Sequence, residues 1–497
     1  MNERVTAGGD GVWALPLPAG LTGGQPIHVR ARQTRDGAPS GWSASVIVTP
    51  SLADVAEIDA AWAWAAAEGL SGQAARARVA GLLATSYGIM ALIVGRGLAG
   101  ATAGADFRLR RYWLPAPADP TAPAEVSEAV FFAQYTAAST STRTYFDAAG
   151  VLRADLAANQ PRFSYLGGSR RLVLENALTN KVFGRKHNPV DLSQLSKGGD
   201  AAAVLSVVDD SAALVAGGLG AICTSGTVYQ LDNTAGTTEA IMGFSGPTGN
   251  VNPHCVQAWM RGSGTVSLRL ADNTSAVSVP LTTAWAQYQS AAGVPTATNM
   301  TMRAIVPAGG VLYLILPGLY EAATAPHAPI IGDTIAQVTR VAEMCRLPAG
   351  MEAVLQGAAG TGLVQALPPR AGTSSTDVPV LLGGPVHPLI GLRSATAVRT
   401  MLDGAAVLDA VPGANILANG LGAAFAWDAS GAVACANGGA VASSATSILP
   451  GIRSSAWLGR AGGGGYAKGD GLYDLVAMWP GRIANAAVQA AAVPYAP

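Results

Sequence analysis

The sequence predicts a mainly β protein in which tandem β-sandwiches follow an N-terminal β-hairpin and an α-helical region. Three observations carry that prediction. From about residue 200 onward, short apolar runs alternate with Gly, Asn and Asp turns, and Val266, Leu268 and Leu270 keep the two-residue period of a half-buried strand. Residues 51–84 change to the three- and four-residue spacing of a helix. The chain has 497 residues, too many for one ordinary domain, and its 49% hydrophobic content supplies several cores.

Composition narrows the class further. Charged residues make up 12% of the chain, about half the ~25% of an average soluble protein. Lys+Arg and Asp+Glu both number 31, so the net charge is zero. That excludes a general nucleic-acid binder and a polybasic membrane-surface protein, which need basic surfaces. A surface so poor in charge tends to self-associate, which points to a permanent oligomer or a larger assembly. The four cysteines Cys223, Cys255, Cys345 and Cys435 are isolated, with no CxxC pair, and the five histidines have no zinc spacing. Buried thiols are expected, with no disulfide framework. The start MNERVTAGGDGVW has no apolar stretch after a basic opening, so no secretory signal is expected. Residues 79–95 are uncharged, and a helix of that length spans about 25 Å, short of the ~30 Å hydrocarbon core. An element buried in an assembly is expected there, with a membrane-active segment as the alternative.

The first unit, 1–50, reads as short strands broken by turns. Its segment IHVRARQTRDGAPSGWSASVIVTP, with Ser40–Ser43 before the last strand, resembles the final two strands of a fibronectin type III domain. A lone hairpin is marginal in water, so docking on a partner is expected. Residues 51–125 read as a helical anchoring and oligomerisation region. Ser51 is a candidate N-cap, Asp54 lies in the first turn, and Leu52, Val55, Ile58 and Trp62 form one stripe. Trp62 and Trp64 are expected to pack rather than to stack on a ligand. The Ala-rich helix would let several chains approach closely, and PAPADPTAPAE at 115–125 reads as a Pro-rich spacer.

Residues 126–184 read as a hairpin connector. Pro161-Arg162-Phe163-Ser164-Tyr165, a glycine loop, Leu172-Val173-Leu174-Glu175 and Thr179-Asn180 follow one another. This resembles a segment common in bacteriophage tail and structural proteins. The expected buried face is Phe163, Leu172 and Leu174, with Arg162 paired to Glu175. Residues 185–340 resemble jelly-roll carbohydrate-binding modules. The matching pieces are Val256–Trp259 before Arg261-Gly262-Ser263-Gly264, the strand Thr283–Tyr288, and the final strand 311–321 followed by Val338-Thr339-Arg340. Glu321 stands where the phage form of the module usually has Gln. Residues 341–497 resemble the concanavalin A-like (laminin-G-like) fold. This rests on Trp427-Asp428, the Asn437-Gly438-Gly439 turn, Leu458-Gly459-Arg460, and Trp479-Pro480-Gly481-Arg482 leading into a short helix.

No catalytic motif is present: GxSxG, HExxH and the P-loop are all missing, and the Gly462–Gly465 run lacks a Lys-Ser/Thr ending. His254 has no spaced partner. Asp209-Asp210 and Asp272-Asn273 fit Asx turns better than calcium ligation or acid catalysis. No cofactor is expected, calcium being open but unsupported, and no enzymatic activity is expected. Sugar binding asks for less: aromatic faces for a pyranose and a few amides and carboxylates for its hydroxyls. The candidates are Trp427, Asp428, Asn437, Tyr466, Asp470 and Tyr473 in the last unit, with Tyr229, Asp232 and Asn233 in the middle one. Trp259 and Trp285 are expected in the core.

These resemblances imply a tail fibre or spike subunit of a phage or gene-transfer-agent particle, located in the virion after assembly in the host cytoplasm. The implied partners are two further copies in a homotrimer, other tail or baseplate proteins through residues 1–125, and host-surface glycan. A purely structural virion component and a polysaccharide depolymerase are the alternatives.

Overall fold

The computed structural model describes residues 27–29, 34–35, 38–39, 46–48 and 52–495, apart from 36–37, 68, 73, 76–77, 80–88, 138–142, 167, 176, 323, 333–334, 341, 369–378, 385–387, 403–405, 447–454 and 461–470. The chain is mainly β, built from several antiparallel sheets. Ile27–Val29 and Val46–Val48 pair antiparallel, so the N-terminal hairpin forms. Ser51, the Ser40–Ser43 turn and the side chains of Leu52, Asp54 and Val55 lie outside the described parts.

Two sandwiches are present, and one interrupts the other in the sequence. The outer one is built on a ten-stranded sheet. Its path runs Ala442–Ser444, Gly431–Ala436, Leu421–Asp428, Gly360–Leu367, Gly471–Trp479, Ala103–Asp106, Arg111–Ala116 and Asp119–Val126. Ser169–Leu174 also pairs with Gly471–Trp479 and carries Phe163–Leu166 on its far side. A seven-stranded sheet packs on one face, from Ala406–Ala410 through Pro388–Ser394 and Val380–Gly383 to Met344–Arg346 and Tyr135–Thr136. Helices Leu52–Ala67, Ile89–Gly95 and Asn485–Ala491 cover the other face.

This placement corrects the expected boundaries. Residues 103–126 are three strands of the large sheet, not the end of an anchoring region, and the Pro-rich stretch lies within two of them. Pro120 and Pro123 lie on the edge strand Asp119–Val126, where an N–H facing outward makes no ladder bond, and Pro115 faces Pro123 beyond the end of the pairing with Ala103–Asp106. The expected hairpin forms, with Phe163 opposite Leu172, Leu172 and Leu174 buried and Phe163 partly so, and it is part of the sandwich rather than a connector. The helical region spends its small-residue face inside the chain. Ala60, Ala61, Trp64 and Ala65 are buried with Ile89 and Ile93 against Leu475, Ala477 and Trp479. The described part of the uncharged segment is therefore packed on this sheet, and no described helix is long and apolar enough to cross a membrane.

Cover on both faces explains the residues of the central strands. Gly471–Trp479 is buried throughout, as is nearly all of Leu421–Asp428, so both are largely apolar on both faces rather than alternating, the buried Asp474 being held by Arg108 and Arg171. Trp427 and Phe425 stack at 5.1 Å between centroids with 14° between planes. Gly360 and Gly362, opposite them, leave the space that these rings fill, since a Cβ at either would collide with its ring.

The inserted sandwich spans Leu178–Arg340. Five strands (Leu195–Gly199, Ala240–Phe244, Met302–Val306, Thr265–Leu270, Ala276–Pro280) face a second sheet. That sheet includes Val204–Asp209, Thr227–Asp232, Val311–Tyr320, Cys255–Ser263 and Ala286–Gln289. Val266, Leu268 and Leu270 are fully buried between them, as their alternation predicts. Trp259 and Trp285 are buried on the outer side of the second sheet with Leu214 and Ile315, so they are core residues as expected.

Candidate functional site

The chain crosses between the sandwiches twice, once entering and once leaving the insertion. The two crossing segments pair: Leu178–Asn180 lies antiparallel to Val338–Arg340, with Thr179 opposite Thr339. The Thr-Asn ending and the Val-Thr-Arg tail, 160 residues apart, are thus one two-stranded joint.

A buried charge network holds the joint. Arg162 donates to Glu175 Oε2 at 2.5 Å and to both oxygens of Glu343, at 2.9 and 2.5 Å. Arg340 reaches the same Glu175 oxygen at 2.8 Å. Tyr135 and Arg143 complete the cluster around Glu343, at 3.2 and 3.6 Å. Glu175 Oε1 accepts the backbone N–H of His327 at 2.7 Å, and the His327 ring shares a 2.8 Å hydrogen bond with Ser164 Oγ. The expected Arg162–Glu175 pair is present, enlarged by two residues from the far side of the insertion.

Burial alone would raise the Glu175 carboxyl, but Arg340 and Arg162 beside it hold it down, at about 2. His327 is lowered too, to about 4: burial comes first, and Arg162, Arg171 and Arg340 nearby add to it against Glu175. Both groups therefore tie stability to pH. The His327 contribution is complete above the unfolded value of about 6.5 and is lost as pH falls from there toward 4. The Glu175 contribution is complete above about 4.5 and is lost toward 2. The urea midpoint is expected to decline in that order on acidification, and His327→Gln should remove the upper part of the decline. A urea series between pH 7 and pH 3 measures both.

Above the joint lies a half-open cleft of about 1020 Å³, at the upper end of the usual range for ligand sites. One wall comes from the outer sandwich: Leu166, Val173, Leu367, Pro368, Gly471 and Leu472. The other comes from the insertion: Asn252, Pro253, Gln287, Gln289, Glu321 and Ala325. Glu175, Leu178, Pro326, His327 and Arg340 are also in its lining. Gln287 and Gln289 lie two apart on Ala286–Gln289 and so share a face, while Tyr288 between them packs toward the core. Glu321 accepts from Lys181 at 2.8 Å, Asn250 at 2.8 Å and Asn252 at 2.6 Å. The Lys181 hydrogen bond comes first among the interactions that hold its carboxyl low, at about 2, with Asn252 and Asn250 adding to it against burial.

The sequence-derived site residues are not brought together. Trp427, Tyr473 and Tyr229 are buried to 2% exposure or less, so no ring offers a face to a sugar. Tyr229 donates its hydroxyl proton to Arg185 O at 2.9 Å, and Trp427 Nε1 donates to Gly357 O at 3.2 Å. Asn233 is fully buried and donates to the Thr238 and Pro307 carbonyls. Asn437, at φ 45° before Gly438 at 67°, forms the predicted hairpin turn and bonds Gly422 N–H and Gly420 O. Asp232 and Asp428 are Asx turns closed by Thr234 and Ser430, and Asp428 also meets Arg482 at 3.0 Å. Tyr466 and Asp470 lie outside the described residues. The signal that points to the cleft instead is the pair of amides at alternate positions in Ala-Gln-Tyr-Gln. No cluster of three metal-ligating side chains occurs among the described residues.

No protein-family model matches the chain, and no curated protein does. Among solved structures it is similar to the NanB sialidase of Streptococcus pneumoniae, at 13% identity over 29% of this chain and 26% of that one, with a TM-score of 0.23. It is similar also to the Trypanosoma rangeli sialidase, at 11% identity over 69% of this chain and 63% of that one, with a TM-score of 0.23. The chain thus spans about a quarter of NanB and just under two thirds of the trypanosomal protein. Likeness at that TM-score carries no argument about fold or chemistry.

Proposed function

We propose that this chain is a virion attachment subunit, a tail-fibre or spike component of phage or gene-transfer-agent type that holds host-surface glycan in the cleft between its two sandwiches. The observation that carries the reading is the cleft itself: about 1020 Å³, with apolar residues on one wall and amides on the other. The phage-like motifs support it by their position, since Arg162, Glu175, Asn180 and Arg340 all meet at the joint beneath. Binding fits better than hydrolysis. A glycosidase needs a carboxyl free to act as a general acid, and among the described residues both cleft carboxylates are engaged, Glu175 by Arg162 and Arg340 and Glu321 by Lys181, Asn250 and Asn252. A trimer would turn weak single-site binding into firm attachment through multivalency.

The test uses the full chain, because residues 103–174 supply strands to the large sheet and a fragment lacking them would leave its centre open. Labelled protein is expected to bind candidate host cells saturably, to be displaced by their surface polysaccharide, and to scatter light as a trimer. A folded protein that binds no cells in any oligomeric state would favour the structural-component reading.

A further inference from the structure

We infer that the cleft selects an uncharged, hydroxyl-rich glycan segment, and that the side-chain amides of Gln287 and Gln289 are its specificity-determining contacts. This rests on the attachment reading above and adds the ligand class.

The argument is one of which polar groups are already engaged. Four titratable side chains line the cleft among the described residues: Glu175, Glu321, His327 and Arg340. Each is engaged within the protein. Glu175 and Arg340 pair at 2.8 Å, Glu321 is held by Lys181 and two asparagines, and His327 bonds Ser164. An acidic sugar entering here would meet no uncommitted cation and would have to break a buried pair to gain one. Gln287 and Gln289 differ. Gln287 is half-buried and Gln289 exposed, and neither amide has a hydrogen-bond partner among the described residues. Each offers a donor and an acceptor, the complement of vicinal hydroxyls, which donate and accept in turn. A third amide lies beneath them. Gln257 stands opposite Gln289 in the ladder, fully buried, and donates to the Pro326 carbonyl at 3.0 Å. Its own carbonyl oxygen is buried without a partner. The facing wall exposes Leu166 and part of Leu367, which suit the C–H face of a sugar ring.

The experiment is an array of neutral and acidic bacterial-surface oligosaccharides, probed with the full chain and followed by calorimetry on each hit. Binding to neutral glycans is expected, insensitive to added salt and weakened about tenfold or more by Gln287→Ala with Gln289→Ala, the loss of one or more good hydrogen bonds. Gln289→Glu, nearly isosteric, should weaken it too, which covers the case of a double variant that fails to fold. Salt-sensitive binding confined to acidic glycans would overturn the ligand class while leaving the attachment reading intact. Neutral binding that survives both variants would overturn the site. No glycan binding by folded protein would overturn this inference and the attachment reading together.

Discussion

Glu175→Ala is expected to lower stability by about 3–5 kcal/mol, the usual cost of removing one partner from a buried ion pair. The carboxylate stands between Arg162 and Arg340, and each of those side chains is at most 2% exposed. Without it, two guanidinium groups remain close together with Glu343 as the nearest acidic partner, and the His327 N–H loses its acceptor. Arg162→Ala should also destabilise strongly, since it leaves Glu175 only Arg340 and Glu343 only the more distant Arg143. The exposed pair Arg111–Glu125 is the control: Glu125→Ala should cost less than about 1 kcal/mol, because water screens it. Urea unfolding followed by tryptophan fluorescence separates the cases. Equal, small losses at Glu175 and Glu125 would mean that the joint does not hold the sandwiches together.

The second large effect is at Trp427. Trp427→Ala should cost about 3–5 kcal/mol, as for other large-to-small changes at a packed aromatic. The ring lies between Phe425, stacked on it, and the glycine gap at Gly360, so the fold cannot easily collapse into the void. Below the shifted unfolding temperature the variant should bind glycan like the parent, because its ring is buried away from the cleft lining. Loss of binding with stability unchanged would return the site to the last unit's aromatics.

Local features were legible in the sequence, and partnerships were not. The alternation at Val266–Leu270, the turn at Asn437-Gly438 and the Arg162–Glu175 pair are set by residues near one another in the chain or by a recurring motif. That Ala103–Asp106 pairs with Gly471–Trp479 depends on a contact across more than 360 residues, which no local period encodes. The Pro-rich stretch misled because two of its prolines, Pro120 and Pro123, lie on an edge strand, which tolerates proline where central strands do not. The aromatic candidates misled for a related reason. In a sheet covered on both faces every position of a strand is inward, so Trp427 and Tyr473 are core. The cleft has walls from both sandwiches, so its composition became readable only once the insertion was placed.

Hydrogen–deuterium exchange of the full chain, with and without host-surface polysaccharide, tests the cleft most directly. Protection is predicted in two separated places at once, around Ala286–Gln289 with residues 321–327 and around Gly471–Leu472. Protection limited to the turns at Asp428 and Asn437, or to Asp232, with the cleft unchanged, would contradict the account.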